Sequence, residues 1–252
     1  MGLLNKLGIG TSGNATRNVS RQTPSAATPA HHRGAGVPSA VVGTHRAPEP
    51  QESTRVSNGL KEFLWNLDGL GRGTLLDLGP AWQTTLNFFI ERGFRVTSDD
   101  LLHSWKDFMV EEEARLKSAI ASQETTDLTP AGRAARFVQA HLEYKASSFD
   151  AVLLWDALDY LEPAVAKQVV GCLSELLRPG GIIFAMFHSK KPAGFQRYRI
   201  ADSHTLQVIS ATPLCPSQRV YQNREIQDLF GRFRTVKSFV GRDQLRESLF
   251  VK

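Results

Sequence analysis

The segment TLLDLGPAWQTTLNFFIERGFRVTSDDLL, at residues 74–102, decides the fold of this chain. It opens with a short apolar run at residues 74–78, which is typical of a buried strand, and Gly79 then breaks the run. Residues 83–92 carry apolar side chains at helical spacing, and residues 94–98 form a second apolar run that ends in two carboxylates. The segment therefore predicts a strand, a glycine turn, a helix, a second strand and then an acid.

The acid after the second strand has a position that suits a nucleoside ligand. Open α/β sheets bind such ligands at the carboxyl ends of their strands, where a turn and a carboxylate lie side by side. Asp100 follows Gly79 by 21 residues, close to the roughly 20 that separate a nucleotide-binding turn from its ribose-binding acid. We therefore expect Asp100 to bind a ribose. Asp99 takes this role if the strand ends one residue earlier, and the alternative for Asp100 is a helix cap.

Length, charge and cysteine content limit the possible classes of protein. The 252 residues, with 41% hydrophobic content, suit one domain and a tail. Of the net charge of +5, residues 1–50 carry +4, so the remaining residues, with 25 basic and 24 acidic side chains, show no overall signature of nucleic-acid binding. The two cysteines, Cys172 and Cys215, are too few for a disulfide framework or a cysteine zinc site, so we expect no metal and a reducing cytoplasm.

Residues 1–52 are predicted to be a disordered, low-complexity tail, because they are poor in large apolar side chains and rich in Ala, Thr, Pro and Gly. An organelle transit peptide is the alternative, since the segment has Arg and Ser but few acids. The opening residues MGLLNK give too short an apolar run for a secretory signal, and no run of roughly 18 apolar residues predicts a membrane span. We expect a cytoplasmic protein whose folded domain spans residues 53–252.

Beyond the opening unit, predicted helices and strands alternate. We expect helices at residues 60–67, 105–121, 163–177 and 223–230. We expect a loop at residues 122–132, strands at residues 136–140, 150–155 and 182–187, a hairpin through residues 198–209, and a final hairpin at residues 235–240 and 244–251. This order predicts a mainly parallel sheet with helices on both faces.

Three features together resemble the class I S-adenosylmethionine-dependent methyltransferases. They are LLDLGP at residues 75–80 with Asp100 behind it, SFDAVLLWDALDYL at residues 148–161 followed by a helix and LLRPGGIIF at residues 176–184, and the final hairpin with LRESLFV at residues 245–251. The resemblance covers about residues 60–252. It implies a Rossmann-like, doubly wound α/β fold with a seven-stranded, mostly parallel sheet and an antiparallel C-terminal hairpin.

The resemblance also implies roles for individual residues. Asp77 and Gly79 would shape the turn beneath the methionine part of S-adenosylmethionine, Asp100 would accept hydrogen bonds from its ribose, and Leu101 would pack on its adenine. Trp155 and the acid after it would close the pocket. The residues expected to contact the cofactor are Asp77, Gly79, Pro80, Ala81, Asp100, Leu101, His141, Leu142, Trp155 and Asp156.

The chain departs from the family pattern at the turn and after the predicted third strand. Glycines usually stand two and four residues beyond the first, whereas Ala81 and Gln83 stand here. A glycine lets the backbone approach a ligand closely, so these changes bear on cofactor affinity. The family often has an acid near the adenine amine after the third strand, and the best match here is His141.

Several further residues are candidates for the chemistry. His188 follows the strand at residues 182–187 and could act as a general base. Arg197, Tyr198 and Arg199 lie in a segment that the family often uses for substrate, although a solvated strand edge explains them equally well. Cys215 lies in PLCP without a neighbouring base, so a nucleophilic role is disfavoured. The structural alternatives are a turn cap for Asp77, edge positions for Asp156 and Asp159, packing for Trp82 and Trp155, core for Cys172, and surface for His141.

The function expected from these features is methyl transfer from S-adenosylmethionine to an unidentified acceptor. Such transfer depends mostly on proximity and orientation, so it needs no catalytic triad. WDAL at residues 155–158 replaces the Asn/Asp-Pro-Pro-aromatic motif of enzymes that methylate amino groups of nucleic-acid bases, which favours a small molecule or a protein side chain as acceptor. The alternatives are a non-catalytic methyltransferase-like binding or scaffold protein and, less well supported because G-x-G-x-x-G is absent, a dinucleotide oxidoreductase.

Overall fold

The computed structural model of this protein describes residues 52–122, 127 and 129–252. The predicted tail at residues 1–52 therefore lies outside the described residues except for Glu52, which begins the first strand. The strands are β1 (Glu52–Val56), β2 (Gly73–Asp77), β3 (Phe94–Ser98), β4 (Phe149–Trp155), β5 (Leu177–His188), β6 (Gln196–Ile200), β7 (Thr205–Ser210), β8 (Arg234–Val240) and β9 (Leu245–Val251). The helices are α1 (Asn58–Leu67), α2 (Gln83–Ile90), α3 (Leu101–Ser122), α4 (Pro130–His141), α5 (Pro163–Leu176) and α6 (Asn223–Leu229).

The main sheet has the strand order β3-β2-β4-β5-β9-β8. The pairs β2–β3, β2–β4 and β4–β5 are parallel, whereas β9 runs antiparallel to both β5 and β8. After β3 the chain crosses back over β2 to enter β4, which makes the β2–β4 boundary the topological switch point of the sheet. The predicted Rossmann-like α/β fold with an antiparallel C-terminal hairpin is confirmed.

The prediction of seven strands is wrong for the described residues, in which the main sheet has six. Residues 136–140, predicted as the third strand, belong to helix α4. Thr129 caps this helix by accepting a hydrogen bond from the Gly132 N–H at 3.0 Å, and Pro130 occupies its first turn. Ala134 and Phe137 are buried three residues apart, so the apolar residues follow the period of a helix rather than that of a strand.

Side chains of the main sheet alternate between two cores, as expected for a sheet with helices on both faces. On one face, Leu76 and Val152 pack with residues of α3, α4, α5 and α6. On the other face, Leu75 and Leu153 pack with residues of α1 and α2. No helix in the described part of the chain is both long and apolar enough to cross a membrane.

A second, three-stranded antiparallel sheet of order β1-β7-β6 lies against the core of α1 and α2. Its β6–β7 hairpin matches the hairpin predicted through residues 198–209, whereas β1 was not predicted. Tyr198, Ile200, Leu206 and Val208 of this sheet are buried in that core. The main-chain N–H of Ile200 donates to Oγ1 of Thr85 in α2 at 3.0 Å, which ties the small sheet to the main body. The small sheet is thereby held beside the carboxyl ends of β2 and β4.

Candidate functional site

The glycine turn after β2 and the acid after β3 lie side by side. The main-chain N–H of Asp99 donates to the carbonyl of Asp77 at 2.8 Å, and that of Leu101 donates to the carbonyl of Leu78 at 3.2 Å. Asp100 stands between these two bonds and is therefore fixed next to the turn. The predicted unit of strand, turn, helix, strand and acid forms as expected, at the switch point of the sheet.

Asp77 is buried beneath the turn with one carboxylate oxygen in use. Its Oδ1 accepts hydrogen bonds from the Gly79 N–H at 3.0 Å and from Nε1 of Trp155 at 2.7 Å. Its Oδ2 has no hydrogen-bond partner among the described residues. Burial raises the pKa of Asp77 to about 6, and the neighbouring charge of Asp100 adds to the rise, although the two hydrogen bonds oppose it. Asp77 thus caps the turn and leaves one buried acceptor free.

The indole of Trp155 covers the turn. Trp155 ends β4 with a φ of 53°, in the left-handed region, at a shift in the register between β4 and β5. Bulky residues rarely adopt this backbone conformation, so the surrounding contacts must hold Trp155 in it. The indole stacks on the ring of Tyr198 from the small sheet, with centroids 6.2 Å apart and an angle of 10° between the planes. Trp155 therefore links the turn to the small sheet.

The carboxylate of Asp100 accepts hydrogen bonds from a side chain that was not predicted to contact it. Nη2 of Arg197, on β6, lies 3.1 Å from Oδ1 and 2.9 Å from Oδ2 of Asp100. Oδ1 also accepts from the His103 N–H at 3.2 Å, so Asp100 caps α3 as well. The carboxylate of Asp99, the alternative ribose ligand, accepts instead from Ser104 and Tyr144. No sequence pattern signals the pairing of Asp100 with Arg197.

The other predicted cofactor residues lie in different surroundings. Leu101 and Leu142 are buried in the core on the side of α3 and α4. Of the turn residues, Pro80 is half-buried and Ala81 is exposed. His141 ends α4 and its ring packs on Phe137 at 5.1 Å between centroids. His141 was expected to lie near the adenine because it follows the predicted third strand. That segment is helical, so the contact between His141 and the adenine stays a prediction.

Asp156 and Asp159 form a buried acidic pair with His188 at the ends of β4 and β5. Oδ2 of Asp159 lies 2.9 Å from Nδ1 of His188 and accepts its main-chain N–H at 2.7 Å. Nδ1 of His188 lies 3.9 Å from Oδ2 of Asp156. Asp159 was expected to be an edge residue, yet it is fully buried; its spacing of three residues from Asp156, across one turn of 3-10 helix, is the signal that joins them.

Burial and mutual charge set the ionisation of this group. Burial raises the pKa of Asp156 to about 7, with His188 opposing the rise and Asp159 adding to it. Burial likewise raises the pKa of Asp159. Burial alone would lower the pKa of His188, but the hydrogen bond that its Nδ1–H donates to Asp159 and the charges of Asp156 and Asp159 outweigh it and raise that pKa. A histidine held at Nδ1 by a carboxylate is arranged to exchange a proton at its other nitrogen.

His188 also lines a cavity of about 410 Å³ between β5 and the small sheet. Tyr198 is part of its lining, and its charged lining residues besides His188 are Arg55, Lys190, Lys191 and Asp243. Arg55 is paired with Asp243 and Glu247. The cavity therefore places His188 beside two lysines and an arginine whose charge is already balanced. A larger cavity of about 720 Å³ between α5 and α6 has none of the predicted cofactor residues among its described lining.

Both cysteines are free thiols. Burial raises the pKa of Cys172 and of Cys215 to about 11, so both thiols stay protonated near neutral pH. Cys172 packs against the core, as expected, and Cys215 packs against the same core. Within the described residues, no group of three or more His, Cys, Asp or Glu side chains is placed to hold a metal ion.

No protein-family profile and no curated protein sequence matches this chain. Among solved structures, it is similar to 1,6-didemethyltoxoflavin-N1-methyltransferase from Burkholderia thailandensis, crystallised with 1,6-didemethyltoxoflavin and S-adenosylhomocysteine, with 19% identity over 78% of this chain and 79% of that one and a TM-score of 0.42. It is also similar to an S-adenosylmethionine-dependent methyltransferase from Mesorhizobium loti, with 15% identity over 76% of this chain and 96% of that one and a TM-score of 0.44. Because these identities and TM-scores are low, the case for function rests on the geometry of the site.

Proposed function

We propose that this protein binds S-adenosylmethionine at the β2–β4 switch point and transfers its methyl group to a small molecule or a protein side chain. The observation that carries the proposal is the position of Asp100 beside the Gly79 turn, fixed by the hydrogen bonds of Asp99 and Leu101 to the end of β2. In open α/β sheets, a carboxylate at this position binds the ribose of a nucleoside ligand.

The residue types around the turn suit this cofactor. Asp100 would offer ribose hydroxyls its two carboxylate oxygens, which Arg197 contacts here, and the unpartnered Oδ2 of Asp77 offers a buried acceptor beneath the turn. When bound, S-adenosylmethionine supplies an electrophilic methyl group on its sulfonium. The protein then has to hold the acceptor in line and exclude water, which is a matter of positioning more than of covalent catalysis. Trp155 and Tyr198 provide the apolar surface that would exclude water here.

His188 is the residue that we propose as general base. Asp159 holds its Nδ1 at 2.9 Å, which leaves Nε2 to take a proton from the acceptor. Lys190 and Lys191 in the adjoining cavity favour an acceptor that carries a negative charge, whereas Arg55 is already balanced by Asp243 and Glu247.

Calorimetric titration of the full chain with S-adenosylhomocysteine and S-adenosylmethionine tests the proposal. We expect both to bind, and Asp100→Asn to weaken binding by about tenfold or more, because it removes the charge that strengthens hydrogen bonds to the ribose. Asp99→Asn is the matched control and should bind like the wild type, since its carboxylate serves Ser104 and Tyr144. Equal affinities for Asp100→Asn and wild type would contradict the ribose assignment.

The non-catalytic alternative has one observation in its favour. Trp155 covers Gly79 and Arg197 occupies Asp100, so two parts of the expected cofactor site are filled by the chain itself. If neither S-adenosylmethionine nor S-adenosylhomocysteine binds at millimolar concentration, the methyltransferase proposal fails and a binding or scaffold role takes its place.

A further inference from the structure

The oxygens of Asp100 that the proposed cofactor needs already have partners. Arg197 contacts both Oδ1 and Oδ2, and the capping N–H of His103 shares Oδ1. The side chains of Arg197 and Asp100 are only 12% and 24% exposed, so solvent does little to weaken their attraction. Ribose hydroxyls have to donate to the same two oxygens. A carboxylate accepts about four hydrogen bonds, and Arg197 and the His103 N–H already supply three to Asp100, so Arg197 and both ribose hydroxyls cannot all be bound at the same time.

Arg197 reaches Asp100 from the small sheet rather than from the main body. It lies on β6, paired with Ile209 of β7, and its guanidinium also lies 5.0 Å from the ring centroid of Phe195. The next residue, Tyr198, stacks on Trp155, which covers the turn. Strand β6 thus meets the expected cofactor site at two points, one at the acid and one at the turn.

We propose that Arg197 is an internal competitor of the cofactor, holding Asp100 in a closed resting state until β6 withdraws its guanidinium. This inference rests on the proposed function and concerns the regulation of the same site. The closed state is stabilised by charge-assisted hydrogen bonds, which are among the stronger contacts of a protein. Since the cofactor binds only the fraction of molecules in which Asp100 is free, its apparent affinity is lowered by that fraction.

Arg199 provides a matched control on the same strand. Its guanidinium lies 3.3 Å from Glu52 of β1, 2.5 Å from Gln207 of β7 and 5.5 Å from the ring centroid of Trp82, so none of these contacts is with Asp100. Replacing it removes the same charge from the same strand without touching Asp100. A general effect of charge or of loosening the small sheet would therefore be seen in both variants, and a competitor effect only in Arg197.

The experiment measures the affinity of the full chain for S-adenosylhomocysteine by calorimetry in wild type, Arg197→Gln and Arg199→Gln. We expect Arg197→Gln to bind about tenfold more tightly than wild type, the factor that one lost charge-assisted pair allows, and Arg199→Gln to bind like wild type. If circular dichroism shows that Arg197→Gln is unfolded, Arg197→Met, which keeps the aliphatic stem over Phe195, carries the same expectation.

Each other outcome has a distinct meaning. Measurable binding with equal or lower affinity in Arg197→Gln would overturn the competitor role and leave the cofactor assignment standing. Tighter binding in both arginine variants would also overturn it, in favour of general loosening of the small sheet. Absence of binding in wild type and in both variants would overturn the proposed function together with the competitor role.

Discussion

The indole of Trp155 lies directly over Gly79, so that residue 79 has no room for a side chain. A Cβ on Gly79 would stand 2.5 Å from Nε1 and 2.7 Å from Cδ1 of Trp155, closer than carbon atoms approach in proteins. The same Nε1 donates to Asp77 at 2.7 Å, which fixes the ring in this place. Gly79 is therefore required by the neighbouring tryptophan.

We expect Gly79→Ala to lower the free energy of unfolding by about 1–3 kcal/mol, the range for overpacking a buried site. Gly171→Ala, in the interior of α5, is the control, because a Cβ there meets nothing within 4 Å. It should raise stability by up to about 1 kcal/mol through helix propensity. Urea denaturation followed by circular dichroism gives both values, and a loss in Gly171→Ala as large as in Gly79→Ala would contradict the contact with Trp155.

Asp77 should make stability depend on pH. Its pKa is about 6 in the folded protein against 3.8 ordinarily, so the folded state binds more protons between these values and stability falls as pH rises through them. Asp77→Asn removes this dependence and keeps the acceptor for Trp155. Relative to wild type, the variant should gain about 3 kcal/mol between about pH 4 and pH 7, at about 1.4 kcal/mol per unit of pKa. Denaturation curves at several pH values check this, and parallel curves would rule it out.

The pairing of His188 with Asp159 should appear as a raised pKa of His188 in a nuclear magnetic resonance titration. We expect the pKa of His188 to lie above its ordinary value of about 6.5. The stability that the pair contributes is then present below about pH 6.5 and is lost as pH rises through the folded pKa. Asp159→Asn should lower the pKa of His188, because burial then dominates. The charge of Asp243 contributes least to the raised pKa of His188, so Asp243→Asn should lower that pKa less. The reverse order would contradict the pairing of His188 with Asp159.

Glu247 of β9 holds the start of α1 and the small sheet to the main sheet. It is 2% exposed, its Oε2 accepts the Gly59 N–H at 2.6 Å, and its Oε1 pairs with Arg55 of β1. Glu247→Ala leaves the buried charge of Arg55 with less compensation and should lower stability by about 3–5 kcal/mol. Glu113→Ala, which breaks the exposed pair with Lys117, should change it far less, because solvent screens that pair. Thermal melting of both variants decides whether Glu247 has this role.

The sequence by itself determined the strand–turn–helix–strand unit and the general fold. Strand β3 was predicted with its observed bounds, and Gly79 and Asp100 were identified as neighbours in space. These features depend on local periodicity and on the fixed handedness of parallel connections, which act within some thirty residues and so can be read along the chain. The strand predicted at residues 136–140 failed because a short apolar run has no reliable period, whereas the cap at Thr129 and the packing of Phe137 select a helix.

Only the tertiary structure decided what surrounds the predicted residues. Arg197 and Asp100 are 97 residues apart in the chain, and Trp155 and Asp77 are 78 apart. The Arg197–Asp100 contact exists because the small sheet packs beside the switch point, and the position of that sheet depends on β1, on Glu247 and on the core of α1 and α2. The Trp155–Asp77 contact exists because β4 and β2 are neighbours in the main sheet. Contacts of this kind depend on the packing of elements that are far apart in the sequence. They leave no local pattern in the sequence from which they could be predicted.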